Sequence, residues 1–561
     1  MKKYFFLYLM LPILNGFAQT QEDGIKQIDY EQYGKAKKIF QTLIQKDPVN
    51  ARNFYYLGET YFYTNNIDSA DYFYKKGIEV NPKDAYNFIG TGKVLLQKDN
   101  EEAATEQFRK GISATGKDVV FYTTLAEAWT ICKKTNFDNA KKYLEKAKDI
   151  KESNPDIYLK YGDMILAKDK NGGEAINEYN KAIYYDKNSA KAYFKEGMVY
   201  LRGKIVKEAI DAFLTSISMD SNYVPAYREL GEIYLLAKKY DKAVETYNKY
   251  ISKSDYILND HVRYAAMLFY NKDYTQAINI LNELYQREPK NTNTLRMLAY
   301  TSYETADFTK GMDYINIFFK LIDKAKIQST DYEYYANLLS KSGKDSLAIV
   351  NYENTINMDS SKINLFENIA KIYEKNKKYR NAADSYDKYI NSFKEPVGST
   401  YFMFGKSCYN MIANDTIAND TATINIYVTK ADSAFSKFSQ VSVTPHLGFL
   451  FRARIYAIID KPSDPKNPYS IKGLAKPNYE KVISLLENSN TPKFNRDLIE
   501  AYNYLKFAFY AQYEKEAKKN KTSALQNLDN SISNAEKVVA LDPNDSKASD
   551  ALKNLKKLRM K

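Results

Sequence analysis

Histidine, cysteine and tryptophan are nearly missing from this chain of 561 residues: it has two, two and one. Neither His261 nor His446 has a second His or Cys at ligand spacing, so no zinc site and no nucleophile–His couple assembles from this inventory. His261 falls in a slot that Tyr or Phe fills in neighbouring segments and reads as a core residue. Cys132 and Cys408 are too few and too far apart for a disulfide framework. They read as buried thiols acting as small hydrophobes. There is no Gly-rich phosphate loop; Asn171-Gly172-Gly173 reads as a turn between helices. Carboxylates are plentiful, but every helical surface carries them, so none stands out as an acid/base couple. No catalytic residue, metal ligand or cofactor is expected.

Long apolar runs are also scarce. The one candidate opens the chain: Lys2-Lys3, an apolar stretch over 4–14, then Asn15-Gly16-Phe17-Ala18. A short basic region, a short apolar core and small residues describe a secretory signal peptide over 1–18, cut after Ala18. The stretch is broken by Pro12 and falls short of the roughly 20 residues a spanning helix needs. No Cys stands at the cut, which speaks against a lipid anchor. The formal charge of +13 falls to +11 when Lys2 and Lys3 leave. Its 69 acidic residues are interspersed among 82 basic ones, and no Arg-rich helix appears. With export, that argues against nucleic acid as partner and for acidic envelope polymers, an acidic protein, or a merely solvated surface.

What the chain has is a pattern recurring every 34 residues. From Ala51 it reads Phe54, Leu57-Gly58, Tyr61, Ala70, Tyr74, Gly77, Pro82. From Ala85 it reads Phe88, Thr91-Gly92, Leu95, Ala104, Phe108, Gly111. From Ala190 come Tyr193, Glu196-Gly197, Tyr200, Ala209, Phe213, and from Val224 come Tyr227, Leu230-Gly231, Tyr234, Ala243, Tyr247. Such a period means stacked units, each covering the apolar face of the next. Intervals of three and four place the first residues on one face of a helix and the later ones on a second helix. Small residues let the two backbones approach, and bulky ones fill the rest at roughly 1.5–3 kcal/mol for each large side chain buried. Asp47-Pro48, Asn81-Pro82, Glu288-Pro289 and Asp542-Pro543 end units, because proline lacks the donor a continuing helix needs.

These residues resemble the tetratricopeptide repeat. The resemblance implies an all-α, right-handed solenoid of about thirteen helix-turn-helix units, with further units opening near Val119, Asn154, Leu258, Thr292, Ser329, Ile363, Gly398, His446 and Ile499. Departures are Gly311 in place of the usual Ala, and Tyr or Phe in place of Trp. The predicted organisation is a regular array over 19–396, repeat-like units with irregular insertions at 410–429 and 460–476 over 397–545, and a capping helix over 546–561 carrying Ala548, Leu552, Leu555 and Leu558. The insertions mark a binding edge or are tolerated surface loops. The run Leu474-Ala475-Lys476-Pro477-Asn478-Tyr479 after a Pro-rich insertion is similar to exported members of the family in the Bacteroidota. That likeness implies export and O-glycosylation at Asp-Thr or Asp-Ser before a small or aliphatic residue; retention in the periplasm is expected because the chain ends in helix where secretion out of such cells would call for a β-sandwich signal. Thr416 and Thr421 fit in an expected loop; Asp68-Ser69-Ala70 and Asp432-Ser433-Ala434 fit at expected helix starts, where a cap is the simpler explanation.

In this family the leading helices line a concave groove. Carried onto this chain, the groove positions are Tyr55, Glu59, Phe62 and Tyr63; Ile89, Lys93 and Leu96; Phe194, Met198 and Arg202; Arg228 and Glu232; Phe269 and Tyr270; Arg296, Tyr300 and Tyr303. Aromatics and Arg dominate interface energetics. The expectation is a non-catalytic scaffold of the cell envelope that binds peptide or protein segments in this groove. With 52 Tyr in the chain, a groove packing on itself gives the same pattern. A carbohydrate-binding protein using the same rings, or a structural subunit assembling through its convex face, are the alternatives.

Overall fold

The computed structural model describes residues 19–392, 397–414, 420–464, 466–489 and 491–560. The expected signal peptide at 1–18 and Thr416 lie outside the described residues. Among the described residues the elements are helices, and the one β-pairing is an isolated bridge between Asp464 and Asn467. The chain divides into two compact units between Thr305 and Ala306.

The first unit opens with α1 (Gln21–Asp29), α2 (Tyr33–Lys46), α3 (Ala51–Tyr63), α4 (Ile67–Val80), α5 (Tyr86–Gln97) and α6 (Glu101–Ala114). It continues with α7 (Val119–Ile131), α8 (Phe137–Lys151), α9 (Pro155–Lys168), α10 (Gly172–Tyr185), α11 (Ala190–Arg202) and α12 (Val206–Met219). It ends with α13 (Val224–Leu236), α14 (Tyr240–Lys253), α15 (Leu258–Tyr270), α16 (Tyr274–Arg287) and α17 (Thr292–Glu304). The second unit holds α18 (Phe308–Leu321), α19 (Ser329–Lys341), α20 (Asp345–Met358), α21 (Leu365–Lys375), α22 (Tyr379–Ser392) and α23 (Gly398–Asn414). After these come α24 (Thr421–Val441), α25 (Pro445–Ile459), α26 (Lys476–Leu486), α27 (Asn495–Glu516), α28 (Lys521–Leu541) and α29 (Ser546–Arg559). Helices pack as consecutive pairs, α1/α2 to α15/α16 in the first unit and α19/α20 to α27/α28 in the second.

Local chemistry explains the repetition. Asn50, Asn66, Asn100, Asn136, Asn154 and Asn171 each cap a helix by accepting a backbone N–H with the side chain, which satisfies one of the orphan donors there. Asp47, Asn81, Glu288 and Asp542, each before a proline, are the residues where helices end. Between the helices of a pair the chain turns through a left-handed residue, and that residue keeps the period: Glu31, Asn65 and Asp99, then Lys170, Lys204, Lys238 and Lys272. Ala70, Ala104, Ala140, Ala175, Ala209, Ala243 and Ala277 have no exposed surface. The ring of Tyr74 is held between two glycines: a Cβ on Gly58 would stand 2.4 Å from it, and one on Gly90 2.3 Å.

Three sequence expectations need correcting. Of the segment 410–429, the described residues are mostly helical: α23 runs on to Asn414 with Met411 buried, and α24 starts at Thr421 with Asp420 as its cap. Extra residues went into longer helices, because the apolar spacing continues through Met411 and Ile412 and through Tyr427 and Val428. Asp432 lies in the middle of α24 rather than at a helix start, and accepts from Arg452 at 2.7 Å. His261 is only half-buried, its ring against Tyr256 at 4.5 Å and Nδ1 3.0 Å from the Ile257 carbonyl; its neighbours Val262, Tyr264 and Ala265 take the core positions. By contrast, the described residues of 460–475 form no helix, as Pro462 and Pro468 require. Asp460 anchors that loop by accepting from the N–H groups of Lys472, Gly473 and Leu474 at 2.8, 2.6 and 2.9 Å. Both thiols are free and buried.

Candidate functional site

The face that should line a groove in the first unit is crossed by ion pairs joining one leading helix to the next. Glu59 on α3 accepts from Lys93 on α5 at 2.8 Å, Glu127 on α7 from Lys160 on α9 at 2.5 Å, and Asp163 on α9 from Lys195 on α11 at 2.7 Å. Glu232 on α13 accepts from Arg263 on α15 at 2.7 Å. Two of these carboxylates also take a tyrosine hydroxyl from the second helix of their own pair: Tyr74 donates to Glu59 at 2.5 Å and Tyr179 to Asp163 at 2.8 Å. The Lys93 ammonium has no exposed surface and sits 4.3 Å over the ring of Phe62 and 5.0 Å over that of Tyr63. A buried charge is stable only when paired and hydrogen-bonded, and these are. Burial pushes the Glu127 carboxyl up, but Lys160 and Lys93 outweigh it and hold it near 2. Desolvation likewise raises Asp163, and Lys195 and Lys160 bring it below its usual value.

The turn between α1 and α2, residues 29–35, closes the first unit on itself. Asp29 accepts from Lys191 at 2.7 Å and Glu31 from Arg228 at 2.6 Å. The Tyr30 hydroxyl donates to Asp220, and its ring meets Tyr223 edge-on at 6.0 Å beside Ala190 and Ala226. The Gly34 N–H donates to Asp255 at 2.6 Å, and Lys35 Nζ to the Lys253 carbonyl at 2.5 Å. Tyr33 stacks on Tyr63 at 5.7 Å, and burial, with Glu31 nearby, pushes its hydroxyl well up. The hydrogen bonds of this turn to the later helices reach 162 to 221 residues along the chain.

Against this geometry the sequence-derived groove residues fall into three groups. Tyr55, Glu59, Phe269 and Tyr300 are buried in the core, as are Ile89, Lys93 and Leu96. Tyr63, Phe194 and Arg228 are half-buried and lie under or beside the 29–35 turn, Phe194 through Tyr223 and the Tyr30 cluster. Phe62, Met198, Glu232, Arg296 and Tyr303 are half-buried, and Arg202 and Tyr270 exposed. Thr421 is exposed at the first turn of α24, where Asp420 caps by accepting from Thr423 N–H. The clasp at 29–35 escaped sequence reasoning; no periodic position marks a partner so far along the chain.

A second feature belongs to the second unit. The Pro-rich loop carries Tyr469 onto α27, with ring centroids 5.5 Å from Phe507 and 4.8 Å from Tyr510. With Ala551, Leu555 and Leu558 of α29 these rings line a mainly apolar cleft of about 280 Å³. Lys506 stands in its wall, and burial lowers the pKa of its ammonium. α29 buries Ala548 against the last pair, while Leu552, Leu555 and Leu558 stay half-buried. Among the described residues no group of three or more His, Cys, Asp or Glu could hold a metal ion, and no helix is long and apolar enough to cross a membrane.

The tetratricopeptide-repeat family model matches residues 51–84 and 226–254. No curated protein matches the chain. Among solved structures, the C-terminal part of a tetratricopeptide repeat-containing protein from Cytophaga hutchinsonii is 27% identical, covering 52% of this chain and 99% of its own, with a TM-score of 0.35. A tetratricopeptide repeat protein from Parabacteroides merdae is 14% identical over 44% of this chain and 94% of its own, with a TM-score of 0.31. Yeast Tom70 is 10% identical over 72% and 97%, with a TM-score of 0.30. Two of the recurrent helix pairs, α3/α4 and α13/α14, are thus matched as tetratricopeptide repeats, and the other pairs repeat their arrangement.

Proposed function

We propose that the chain is a non-catalytic protein-interaction scaffold of the cell envelope, carried to the periplasm by the signal at 1–18, and that it docks a segment of a partner protein. The repeat architecture supports the scaffold class. Export rests on the basic-then-apolar opening and the small residues before Gln19. The absence of catalysis is supported by the state of the rare reactive groups: Cys132 and Cys408 are buried, and His446 is buried beside Phe494.

The observation that carries the docking reading is the cleft of Tyr469, Phe507, Tyr510, Leu555 and Leu558. In the first unit the expected groove face is bridged by its own ion pairs and covered by its own 29–35 turn. In the second unit three aromatic rings remain half-buried around a space that fits one bulky apolar side chain. Buried aromatic anchors supply most interface energy, and the desolvated Lys506 favours an acidic residue beside that anchor. The partner segment is therefore an apolar anchor flanked by Asp or Glu. Affinity capture from envelope extracts, read by mass spectrometry, compares wild type with Phe507→Ala/Tyr510→Ala. Capture lost by the variant, its circular dichroism unchanged, supports the cleft; capture kept by the variant sinks it.

A further inference from the structure

The clasp of the first unit borders a cleft whose walls differ from the rest of the surface. It measures about 600 Å³ and is lined from one side by Gln27, Gln32, Lys35 and Lys38, and from the other by Asn222 and Lys253. Elsewhere lysines of this chain commonly meet a carboxylate. Here Lys35 Nζ donates to the Lys253 carbonyl and Lys253 Nζ to the Asn222 side chain at 2.9 Å, and Lys38 has no ion pair among the described residues. Three ammonium groups thus share one cleft with only neutral acceptors. The carboxylates of the clasp, Asp220 and Asp255, already accept from Tyr30 Oη and from the Gly34 N–H.

A second observation points the same way. Gln32 is 5% exposed, yet it lines the cleft and its carboxamide has no hydrogen-bond partner among the described residues. The amide is therefore left to bond whatever fills the cleft, water or ligand. The neighbouring Ser254 hydroxyl is also buried without a partner.

We infer that this cleft binds a small oxyanion-bearing molecule, its phosphate or carboxylate held by Lys35, Lys38 and Lys253 and its polar body by Gln27, Gln32 and Asn222. Lysines act here as point charges, which suits an anion approached from several directions. The volume lies in the range of small-ligand sites, and the amides match hydroxyl groups better than an apolar body.

Titration calorimetry on the full exported chain, at constant ionic strength set with chloride, tests the site with two probes, inorganic phosphate and glucuronate. Saturable binding of phosphate alone identifies a phosphoryl group as the recognised oxyanion, and of glucuronate a carboxylated sugar. Lys38→Gln and Gln32→Leu should each weaken the bound probe about tenfold, one deleted charge–anion or amide contact being worth about 1.4 kcal/mol in water-exposed clefts. Lys38 makes no clasp contact, so its variant keeps the fold even if Gln32→Leu does not. Heat from neither probe beyond the chloride control, or a Lys38→Gln protein that binds like wild type, overturns the site.

Discussion

At the scale of single residues, packing in this protein turns on where a Cβ is missing. Tyr74 is fully buried, donates to Glu59, and has its Cδ1–Cε1 edge against both Gly58 and Gly90, which leaves little room for it to move aside for either. Gly58→Ala and Gly90→Ala should each destabilise the chain. Overpacking costs about 1–3 kcal/mol, and the better helix propensity of Ala returns about 1 kcal/mol at most. Urea unfolding read by circular dichroism checks the sign; variants at or above wild-type stability would mean the ring is not clamped. The thiols make a parallel case. Burial pushes the Cys132 thiol up to about 12, and Cys408 is raised as well. Neither should react with a thiol reagent at neutral pH until the protein unfolds, because the thiolate is the nucleophile. Labelling followed by mass spectrometry reads this, and fast native labelling contradicts it.

At the scale of elements, the sequence showed most of the architecture because each pair of helices is specified locally. Asn caps, prolines after the second helix and the Gly–aromatic contacts all act within about one repeat, so spacing alone reveals them. The lengthened α23 and α24 were hidden because polar Asn and Thr look like a loop when the apolar residues beneath them are few. The turn residues show a cost that spacing does not: Lys204 and Lys238 adopt left-handed backbone angles, φ of 60° and 58°, where a Cβ is disfavoured by roughly 1–2 kcal/mol. Lys238→Gly should raise stability by up to about 1 kcal/mol, less the entropy a glycine adds to the unfolded chain; a lower denaturation midpoint refutes it. The loop at 460–475 hangs on one buried carboxylate. Asp460→Ala removes three charge-assisted hydrogen bonds, each worth about 1.5–3 kcal/mol. Hydrogen exchange at Gly473 and Leu474 should rise sharply while α11 and α13 stay protected. Unchanged exchange at those two amides would show that the prolines, not Asp460, hold the loop.

At the scale of the whole molecule, what the sequence concealed is closure. The candidate groove residues were placed by repeat phase alone, which cannot see that residues 29–35 come back over Tyr63 and Arg228, or that Glu127 and Lys160 join across repeats. The consequence is a pH dependence with a definite sign. Glu127 has a folded value near 2 against an ordinary 4.5, so its contribution is complete above about pH 4.5 and is lost as the pH falls towards 2. Its carboxylate is mostly buried, with 18% of the side chain exposed, and the shift corresponds to about 3 kcal/mol. Asp163 is shifted in the same direction, so the acid limb steepens as the links between leading helices are protonated. Glu127→Gln removes the titrating group: the variant should be less stable than wild type at pH 6, and the gap should close between pH 4.5 and 2. The clasp pairs, Asp29 with Lys191 and Glu31 with Arg228, are half-exposed and therefore worth little in stability. Removing them with Asp29→Asn/Glu31→Gln should leave the unfolding midpoint nearly unchanged yet enlarge the radius of gyration by small-angle scattering. An unchanged radius with the pairs gone would place closure on the Tyr30–Tyr223 contact and the Gly34–Asp255 bond instead, and Tyr30→Ala would then be the variant that opens the unit.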